Sequence, residues 1–331
     1  MAYATARQIE LSEIPVLDIG ALVAGDPAGS AAAGRAMREA SERIGFFYVS
    51  NHGVPQAAID QVFRGARDFF ALPDAQKAKS KVNGLHRGWI GRGGARKQAA
   101  AKVDLKESFV WGLELPDGDP DVAARTPLMG PNNWPAAMPS LQSAAYGYYE
   151  HVLALGQRVL RGLALSLDRD ATFFDSRFAK PLARGSLIWY PPQSPEMGQD
   201  QFGVAPHTDY GGLTFLCQDM TGGLQVLNGS GEWVTAHPIP GTFVVNIGDL
   251  MHRWTNDRFR SNAHRVVNTS GVARQSVAVF YDPAFNTVID PRDLLDDPEE
   301  ARHPPITCGE WIVGRFNQAI KYRAGEPDAR A

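Results

Sequence analysis

Two side chains that can bind a metal lie two positions apart in the sequence, at His207 and Asp209. Alternate residues of a β-strand point to the same face of the sheet, so a strand here would offer an imidazole and a carboxylate to one ion. A catalytic metal needs at least one more protein ligand. The later histidines that could supply it are His237, His252, His264 and His303. The competing interpretation is a chance pair that binds nothing.

His264 is the best third ligand among these histidines. It lies in a strand-like run, 262–267, and follows Asp209 by 55 positions (264 − 209 = 55), which is enough chain for several antiparallel strands to bring it back. Two histidines and one carboxylate form the facial triad of non-haem Fe(II) oxygenases, which leaves coordination positions open. Zn(II) accepts the same ligands, so the triad alone does not select the metal.

A candidate anion-binding pair follows at Arg274 and Ser276, ten positions beyond His264 (274 − 264 = 10). On a strand, these two side chains share one face with Ala278 and Phe280. A guanidinium and a hydroxyl directed into a β core need a buried anion, and a carboxylate suits the planar guanidinium through two parallel hydrogen bonds. A surface arginine with a neighbouring serine is the other interpretation.

Short β-like runs must position these groups. After Gly185 such runs recur between turn residues, at a spacing that favours a β-sandwich or barrel over alternating strands and helices. In this half we predict strands over 186–190, 214–218, 224–227, 242–247, 263–268 and 275–281.

The first half of the chain has helical periodicity and fewer strands. We predict helices over 31–44, 57–70, 139–167 and 311–322, and strands over 14–19, 46–49 and 108–115. The segment 77–106 is rich in Lys, Arg and Gly, and we predict a mobile loop there. A weak boundary near residue 180 divides a helix- and strand-containing region, 1–180, from a β-rich core, 181–331, which ends in the closing helix.

Composition excludes several protein classes. The 331 residues are 44% hydrophobic and carry a net charge of -3, so the chain is neither disordered nor basic enough for a nucleic-acid partner. Its two cysteines form at most one bridge, so the chain is not a disulfide scaffold. So few cysteines favour a cytoplasmic location. No apolar run is long enough for a membrane span, and the first 13 residues contain no apolar stretch of signal-peptide length.

The motifs taken together resemble one family, the isopenicillin N synthase-like branch of Fe(II)- and 2-oxoglutarate-dependent dioxygenases, over about residues 14–320. The matching motifs of the second half are His207-Thr-Asp209, Asn246-Ile-Gly-Asp249, Trp254-Thr-Asn256, Ser261, His264-Arg-Val266 and Arg274-Gln-Ser276. Those of the first half are Ile14-Pro-Val-Leu-Asp18, Gly45-Phe-Phe-Tyr-Val49, Asn51-His-Gly-Val54 and Asp104-Leu-Lys-Glu-Ser108.

The resemblance implies a mainly β fold, a distorted double-stranded β-helix (a jelly roll of the cupin type) with flanking helices. The Fe(II) ligands that it implies are His207, Asp209 and His264. Arg274 and Ser276 would bind the distal carboxylate of 2-oxoglutarate, and Tyr190 aligns with a tyrosine that often donates to that carboxylate. Ile188 stands where many plant members have asparagine, so contacts of the plant type near the iron are not carried over.

The activity that the resemblance implies is oxidation by O2 of a C–H bond in a small-molecule substrate, with hydroxylation as the expected outcome and release of succinate and CO2. An oxidase similar to isopenicillin N synthase would instead hold its substrate carboxylate at Arg274 and form no succinate. An enzyme of the ethylene-forming type would fragment 2-oxoglutarate. A non-catalytic jelly-roll binding protein is disfavoured, because buried His and Asp side chains without a metal are costly.

The substrate pocket is expected on the face of the β core near the metal, under a lid formed by residues 85–96. The expected core residues are Phe202, Phe215, Val245 and Phe280. The lid residues that would meet a carboxylated or aromatic small molecule are Arg87, Trp89 and Arg92. The alternative is that these arginines are solvated. We expect no nucleic-acid or membrane partner, and a monomer or weak homo-oligomer.

Overall fold

The protein is described by a computed structural model that covers residues 2–7, 13–94 and 102–319. The strands are β1 Val16–Asp18, β2 Phe46–Ser50, β3 Gly88–Ile90, β4 Glu107–Gly112, β5 Arg184–Tyr190, β6 Val204–His207, β7 Leu213–Gln218, β8 Leu224–Leu227, β9 Trp233–Thr235, β10 Phe243–Ile247, β11 His264–Val266, β12 Arg274–Tyr281, β13 Val288–Ile289 and β14 Ile306–Thr307. The α-helices are α1 Gly20–Ala24, α2 Pro27–Arg43, α3 Gln56–Phe70, α4 Asp74–Lys77, α5 Pro120–Ala123, α6 Pro139–Ser166, α7 Asp249–Trp254 and α8 Cys308–Ala319.

Two sheets form the core of the molecule. The larger sheet has the order β1-β2-β10-β7-β12-β5-β4-β3, and the smaller has the order β6-β11-β8-β9. Strands β1 to β4 of the first half thus extend the sheet that strands of the second half build. Side chains of both sheets meet in an apolar cluster between them, to which Val244 and Val226 belong. The expected mainly β fold with flanking helices is confirmed.

Strand β12 shows how alternation separates two cores. Val277 and Val279 point into the larger apolar cluster, which the helices cover. Ala278 points the other way, into the cluster between the sheets, and Phe280 packs against that cluster. Because successive side chains of a strand face opposite sides, one strand supplies both layers, and the face that carries Arg274 is the inter-sheet face.

The helical layer is built on α6, which packs against both α2 and α3. Helix α2 begins four residues before the predicted start, because Asp26 accepts hydrogen bonds from the backbone N–H groups of Ala28 and Gly29 and Pro27 occupies the first helical turn. Helix α6 is buried along much of its length and covers the outer face of the larger sheet. Within the described residues, no helix combines the length and the apolar character needed to cross a membrane.

The mobile loop predicted over 77–106 is wrong in its described part. Lys77 is buried, and its Nζ lies 2.8 Å from Oε2 of Glu107. Strand β3 pairs with β4 in the same segment. The prediction from basic composition is wrong because Lys77 is not exposed. The Glu107 carboxylate, 30 positions away in the sequence, neutralises it in the interior. Residues 95–101 lie outside the described residues, as do the last residues of the predicted closing helix.

Candidate metal centre

The three predicted metal ligands meet at the edge of the smaller sheet. His207 ends β6 and His264 begins β11, and the two residues lie directly opposite each other in the antiparallel pairing. Oδ1 of Asp209 lies 3.7 Å from Nε2 of His207 and 3.8 Å from Nε2 of His264. All three ligand atoms lie within 4.8 Å of one another. The structure therefore brings together the residues that the sequence motif proposes.

The backbone orients both imidazoles. Nδ1 of His207 lies 2.8 Å from the carbonyl oxygen of Ala205, and Nδ1 of His264 lies 3.4 Å from that of Asn262. These carbonyls accept only if each ring carries its proton on Nδ1. In the neutral ring, the lone pair is then on Nε2, which is the arrangement that a metal-binding histidine needs.

Asp209 is held by its other oxygen. Oδ2 accepts hydrogen bonds from Thr214 Oγ1 at 2.6 Å and from Asn246 Nδ2 at 2.8 Å, so Oδ1 is the oxygen that faces the imidazoles. Burial by itself raises the pKa of this carboxyl. When the imidazoles of His264 and His207 are protonated, their charges, with the two hydrogen bonds, outweigh burial and lower the pKa of Asp209 to about 2. The two hydrogen bonds also stabilise the anionic form when the imidazoles are neutral, and the anion is the form that binds a metal.

Asp249, in the first turn of α7, fixes the loop between the first two ligands. Its backbone N–H donates to the carbonyl of Asp209 at 2.7 Å, and its carboxylate accepts from Thr208 Oγ1 at 3.1 Å. The same carboxylate also accepts from Ser261 Oγ at 2.7 Å and from Arg315 of α8. This network links the metal ligands to the C-terminal helix.

Arg274, the predicted anion-binding residue, lies in the same inter-sheet space. It is fully buried, and it donates from Nη1 to Ser276 Oγ at 3.3 Å and from Nη2 to Gln218 Oε1 at 3.1 Å. Its Nε has no hydrogen-bond partner, and no carboxylate of the described chain pairs with it. Tyr190 lies opposite on β5, with its ring 4.7 Å from the guanidinium. A buried cation with an unused donor fits a bound carboxylate.

Two family models match the chain. One, described as non-haem dioxygenase in morphine synthesis N-terminal, matches residues 14–137, and the other, the 2OG-Fe(II) oxygenase superfamily, matches residues 181–283. The 2-oxoglutarate-Fe(II) type oxidoreductase hxnY of Emericella nidulans is 34% identical over 314 residues, which cover 92% of this chain and 90% of that protein. The chain belongs to the Fe(II)- and 2-oxoglutarate-dependent oxygenases.

Other relatives of this oxygenase include the homoarginine-6-hydroxylase 2-ODD-233 of Oryza sativa, 34% identical over 283 residues, which cover 83% of this chain and 85% of that protein. Among solved structures, a full-length Neurospora crassa protein in complex with α-ketoglutarate and thymine matches with a TM-score of 0.82 and 29% identity, over 92% of this chain and 96% of that one. The expected double-stranded β-helix fold is confirmed, and so is the expected enzyme class, an oxidoreductase whose cofactors are Fe(II), 2-oxoglutarate and O2.

A cavity of about 170 Å³ adjoins the metal centre of this oxygenase. His207 and Asp209 form one end of it, and Phe280 forms part of its wall, as the sequence predicts. Arg274 and Tyr190 are not among the described residues that line it.

Two of the predicted pocket residues, Phe215 and Val245, do not reach the cavity, and their assignment is corrected. Both are fully buried in the cluster beneath the helices. Their immediate neighbours Thr214 and Asn246 point at Asp209, so alternation turns Phe215 and Val245 to the far side of the sheet. The sequence prediction placed them on the wrong face of their strands.

Arg87 and Phe202 also lie outside the cavity lining. Arg87 is buried, and its Nη2 donates to the carbonyl of Leu128 at 2.8 Å, so its guanidinium holds a loop together. Phe202 lies beneath the guanidinium of Arg265, whose Cζ is 5.5 Å from the ring centroid. Arg87 is therefore neither solvated nor at the cavity, and both predicted interpretations of it are corrected.

Trp89 and Arg92 are absent from the cavity lining as well. Trp89 Nε1 donates to Glu107 Oε2 at 2.8 Å, and the Arg92 guanidinium lies 5.0 Å from the Trp189 ring. The predicted lid still contributes two other side chains to the cavity wall, His86 and Ile90. Residues 95 and 96 of that lid lie outside the described residues.

The sequence analysis assigned no role to three polar residues around the centre of this oxygenase: Thr214, Asn246, which it names only as part of a matching motif, and Arg184. The signal for the first two was present, because a hydroxyl and an amide interrupt runs that are otherwise apolar. Arg184, in β5, is buried and lines the cavity. The sequence indicates it only through a charged residue at the first position of a strand that has no other charge.

Proposed function

We propose that this oxygenase hydroxylates a C–H bond of a small molecule bound in the cavity beside His207 and Asp209, with His264 as the third Fe(II) ligand. The observation that carries the proposal is the cluster of three ligand atoms within 4.8 Å at the end of that cavity. Two imidazoles and one carboxylate on one side of an ion leave its other positions for the cosubstrate and O2.

In this proposal, Arg274 and Ser276 hold the distal carboxylate of 2-oxoglutarate, and Tyr190 flanks it. The unused Nε of Arg274 and its complete burial support this assignment. Because the Arg274 guanidinium has no carboxylate partner in the described chain, a bound dianion would supply the missing charge. The side-chain amide nitrogen of Gln218, which is buried without a partner, is a further donor at the same place.

Fe(II) with 2-oxoglutarate and O2 supplies the oxidising power that breaks the C–H bond. The residues of the chain do the positioning. Thr214 and Asn246 turn Asp209 so that Oδ1 faces the metal site, and backbone carbonyls set the ring nitrogens of His207 and His264. Apolar side chains of the cavity wall, such as Ile90 and Phe280, would pack beside the C–H bond.

The relatives support a small-molecule substrate. One is named a homoarginine-6-hydroxylase, and a solved neighbour holds thymine. The cavity of about 170 Å³ is compatible with a molecule of this size. We therefore propose a small-molecule substrate and no nucleic-acid partner, in keeping with the net charge of -3.

We also propose one catalytic unit in which region 1–180 packs on the jelly-roll core 181–331, supported by the shared eight-stranded sheet. A cytoplasmic location is supported by two buried, unbridged cysteines, Cys217 and Cys308. No membrane partner and a monomeric or weakly homo-oligomeric state complete the proposal.

The test begins with anaerobic protein, Fe(II) and 2-oxoglutarate. We expect a weak visible charge-transfer band, and slow formation of succinate when air is admitted without substrate. His264→Ala should lose the band, whereas His237→Ala, which changes a histidine outside the cluster, should keep it. Absence of both band and succinate from the unaltered protein contradicts the proposal. Ethylene in the headspace would favour fragmentation of 2-oxoglutarate, and substrate oxidation without succinate would favour the isopenicillin N synthase-like alternative.

A further inference from the structure

Arg184 is an arginine at the substrate cavity that the metal and 2-oxoglutarate sites do not use. It opens β5, is buried, and forms part of the cavity lining. Its Nη2 donates to Oδ2 of Asp282 at 2.8 Å, and Oδ1 of Asp282 accepts from the backbone N–H of Gly212 at 2.8 Å. The aspartate is thus engaged through both oxygens, and the ion pair as a whole is neutral.

The other two guanidinium nitrogens of Arg184 are left over. Neither Nε nor Nη1 has an acceptor among the described residues, and both atoms are buried. A buried donor without a partner costs about 1–3 kcal/mol, so such groups in native proteins call for a ligand or a water molecule. Arg87 also has a buried Nε without a partner, but both of its terminal nitrogens donate to backbone carbonyls and it does not line the cavity.

Aromatic rings surround the Arg184 guanidinium. Its Cζ lies 4.7 Å from the centroid of Phe316 and 5.5 Å from that of Phe280, and both rings line the cavity. Ile90 and Ile188 are further apolar side chains in the cavity wall. Polar and charged side chains, among them Lys106, complete the lining, so the cavity suits a planar molecule that carries a polar function better than a purely apolar one.

The size of the cavity limits that molecule. Its volume of about 170 Å³ compares with the ~150 Å³ of an engineered protein cavity that binds benzene. One unsaturated ring with a small substituent fills such a space. The Arg184–Asp282 pair is already neutral, so the unused donors suit either a carbonyl oxygen or a carboxylate oxygen.

We infer that Arg184 is a specificity-determining residue, which binds a carbonyl or carboxylate oxygen of a planar, one-ring substrate and so directs the far side of the ring toward the metal ligands. This inference rests on the proposed function and names the substrate class of the same site. A substrate without such an oxygen would leave the Arg184 donors unpaired, and the cavity would discriminate against it.

Three probes that share one ring test the inference: benzoate, benzamide and benzene. Their affinities are measured by calorimetry on the anaerobic holoenzyme with Fe(II) and 2-oxoglutarate. We expect at least one of the two oxygen-bearing probes to bind about tenfold to a hundredfold tighter than benzene. Preference for benzoate identifies a ring acid and preference for benzamide a neutral carbonyl. Equal binding of all three, or binding of none, overturns the inference.

Arg184→Met removes the donors and keeps an apolar side chain between the rings. We expect it to bind the oxygen-bearing probes about as weakly as benzene. Arg177→Met is the matched control, because it also removes an arginine stacked on aromatic rings, Phe173 and Trp254, away from the cavity. Arg177→Met should keep the preference for the oxygen. Unchanged preference in Arg184→Met overturns the inference, and if that variant does not fold, the comparison of probes on the unaltered protein still decides.

The charge-transfer band shows whether a negative result contradicts the assignment of Arg184 or the proposed function. A holoenzyme that shows the band and forms succinate but does not distinguish the probes refutes the assignment of Arg184 alone. A protein that shows neither band nor succinate refutes the proposed function, and the probe comparison is then interpreted as binding to a cavity that is not catalytic.

Discussion

Thr214 and Asn246 lie directly opposite each other on β7 and β10, and both donate a hydrogen bond to the same oxygen of Asp209. The pairing of the two strands therefore sets the rotation of a carboxylate that lies on neither of them. Because both donors bind Oδ2, the remaining oxygen is left for the metal. The larger sheet thus orients a ligand of the centre that the smaller sheet carries.

Replacement of Thr214 by valine should weaken Fe(II) binding. The substitution keeps the shape of the side chain but removes one of the two donors to Asp209, and loss of such a supporting hydrogen bond typically costs about 10–100-fold in metal affinity. Anaerobic metal titration measures the effect. Thr242→Val, which removes a hydroxyl bonded to the carbonyl of Ile239, is the control and should bind the metal normally. Equal affinity in both variants would show that Asn246 alone holds Asp209.

Replacement of Arg274 by alanine should abolish 2-oxoglutarate binding while Fe(II) still binds. The guanidinium is the buried cation of the carboxylate site, and a hydrogen bond between charged groups contributes about 1.5–3 kcal/mol, or roughly 10–150-fold. Titration of the charge-transfer band with 2-oxoglutarate measures the loss. Arg274→Lys keeps the positive charge but not the planar guanidinium that forms two parallel hydrogen bonds. It should recover part of the affinity for 2-oxoglutarate. Loss of the metal itself would instead assign Arg274 a structural role.

The two faces of the larger sheet should respond differently to truncation. Phe215→Ala opens a hole in the cluster beneath the helices and should lower the free energy of unfolding by about 3–5 kcal/mol. Phe280→Ala, in the cavity wall, should cost less stability and should change affinity for substrates more. Urea denaturation and probe binding measure the two effects. A change of probe affinity in Phe215→Ala, with the metal site intact, would contradict the placement of that residue.

Cys217 should resist alkylation in the folded protein. Burial, which outweighs the lowering effect of the nearby Tyr148 hydroxyl, raises the pKa of its thiol to about 12 from an ordinary value of 9.0. The reactive thiolate forms only above that pKa, so at pH 8 its population falls about a thousandfold (12 − 9.0 = 3 units) relative to a free thiol. Mass spectrometry after iodoacetamide treatment measures this. Labelling should appear in urea, whereas rapid labelling in buffer would contradict the burial.

The grouping of His207 with Asp209 could be predicted because its signal is local, since a period of two places both on one side of a strand. The choice of His264 among the four later histidines depended on its strand-like run and on the family resemblance. Which of the two alternating sets of side chains faces the metal site is not determined locally, however. Whether Phe215 or Thr214 faces the metal depends on what covers each side of the sheet, and the sequence of β7 alone does not say.

Long-range pairs explain the other misses. Composition assigns Lys77 to a basic surface loop, and only the folded chain supplies its buried partner, Glu107. Arg184 gave no signal of its own beyond its charge, because its cavity is assembled from β3, β4 and α8, which are distant in sequence. Such sites follow from tertiary packing, and no spacing rule within one strand reveals them.

The metal ligands and the cavity walls come from different parts of the chain. All three proposed ligands lie between residues 207 and 264, whereas much of the wall comes from residues 86–90 and 104–110 and from Phe316 of α8. The wall can therefore diverge under selection while the centre stays the same. Grafting the two wall segments from one oxygenase of this kind onto another should transfer substrate preference and leave the redox chemistry of the recipient in place.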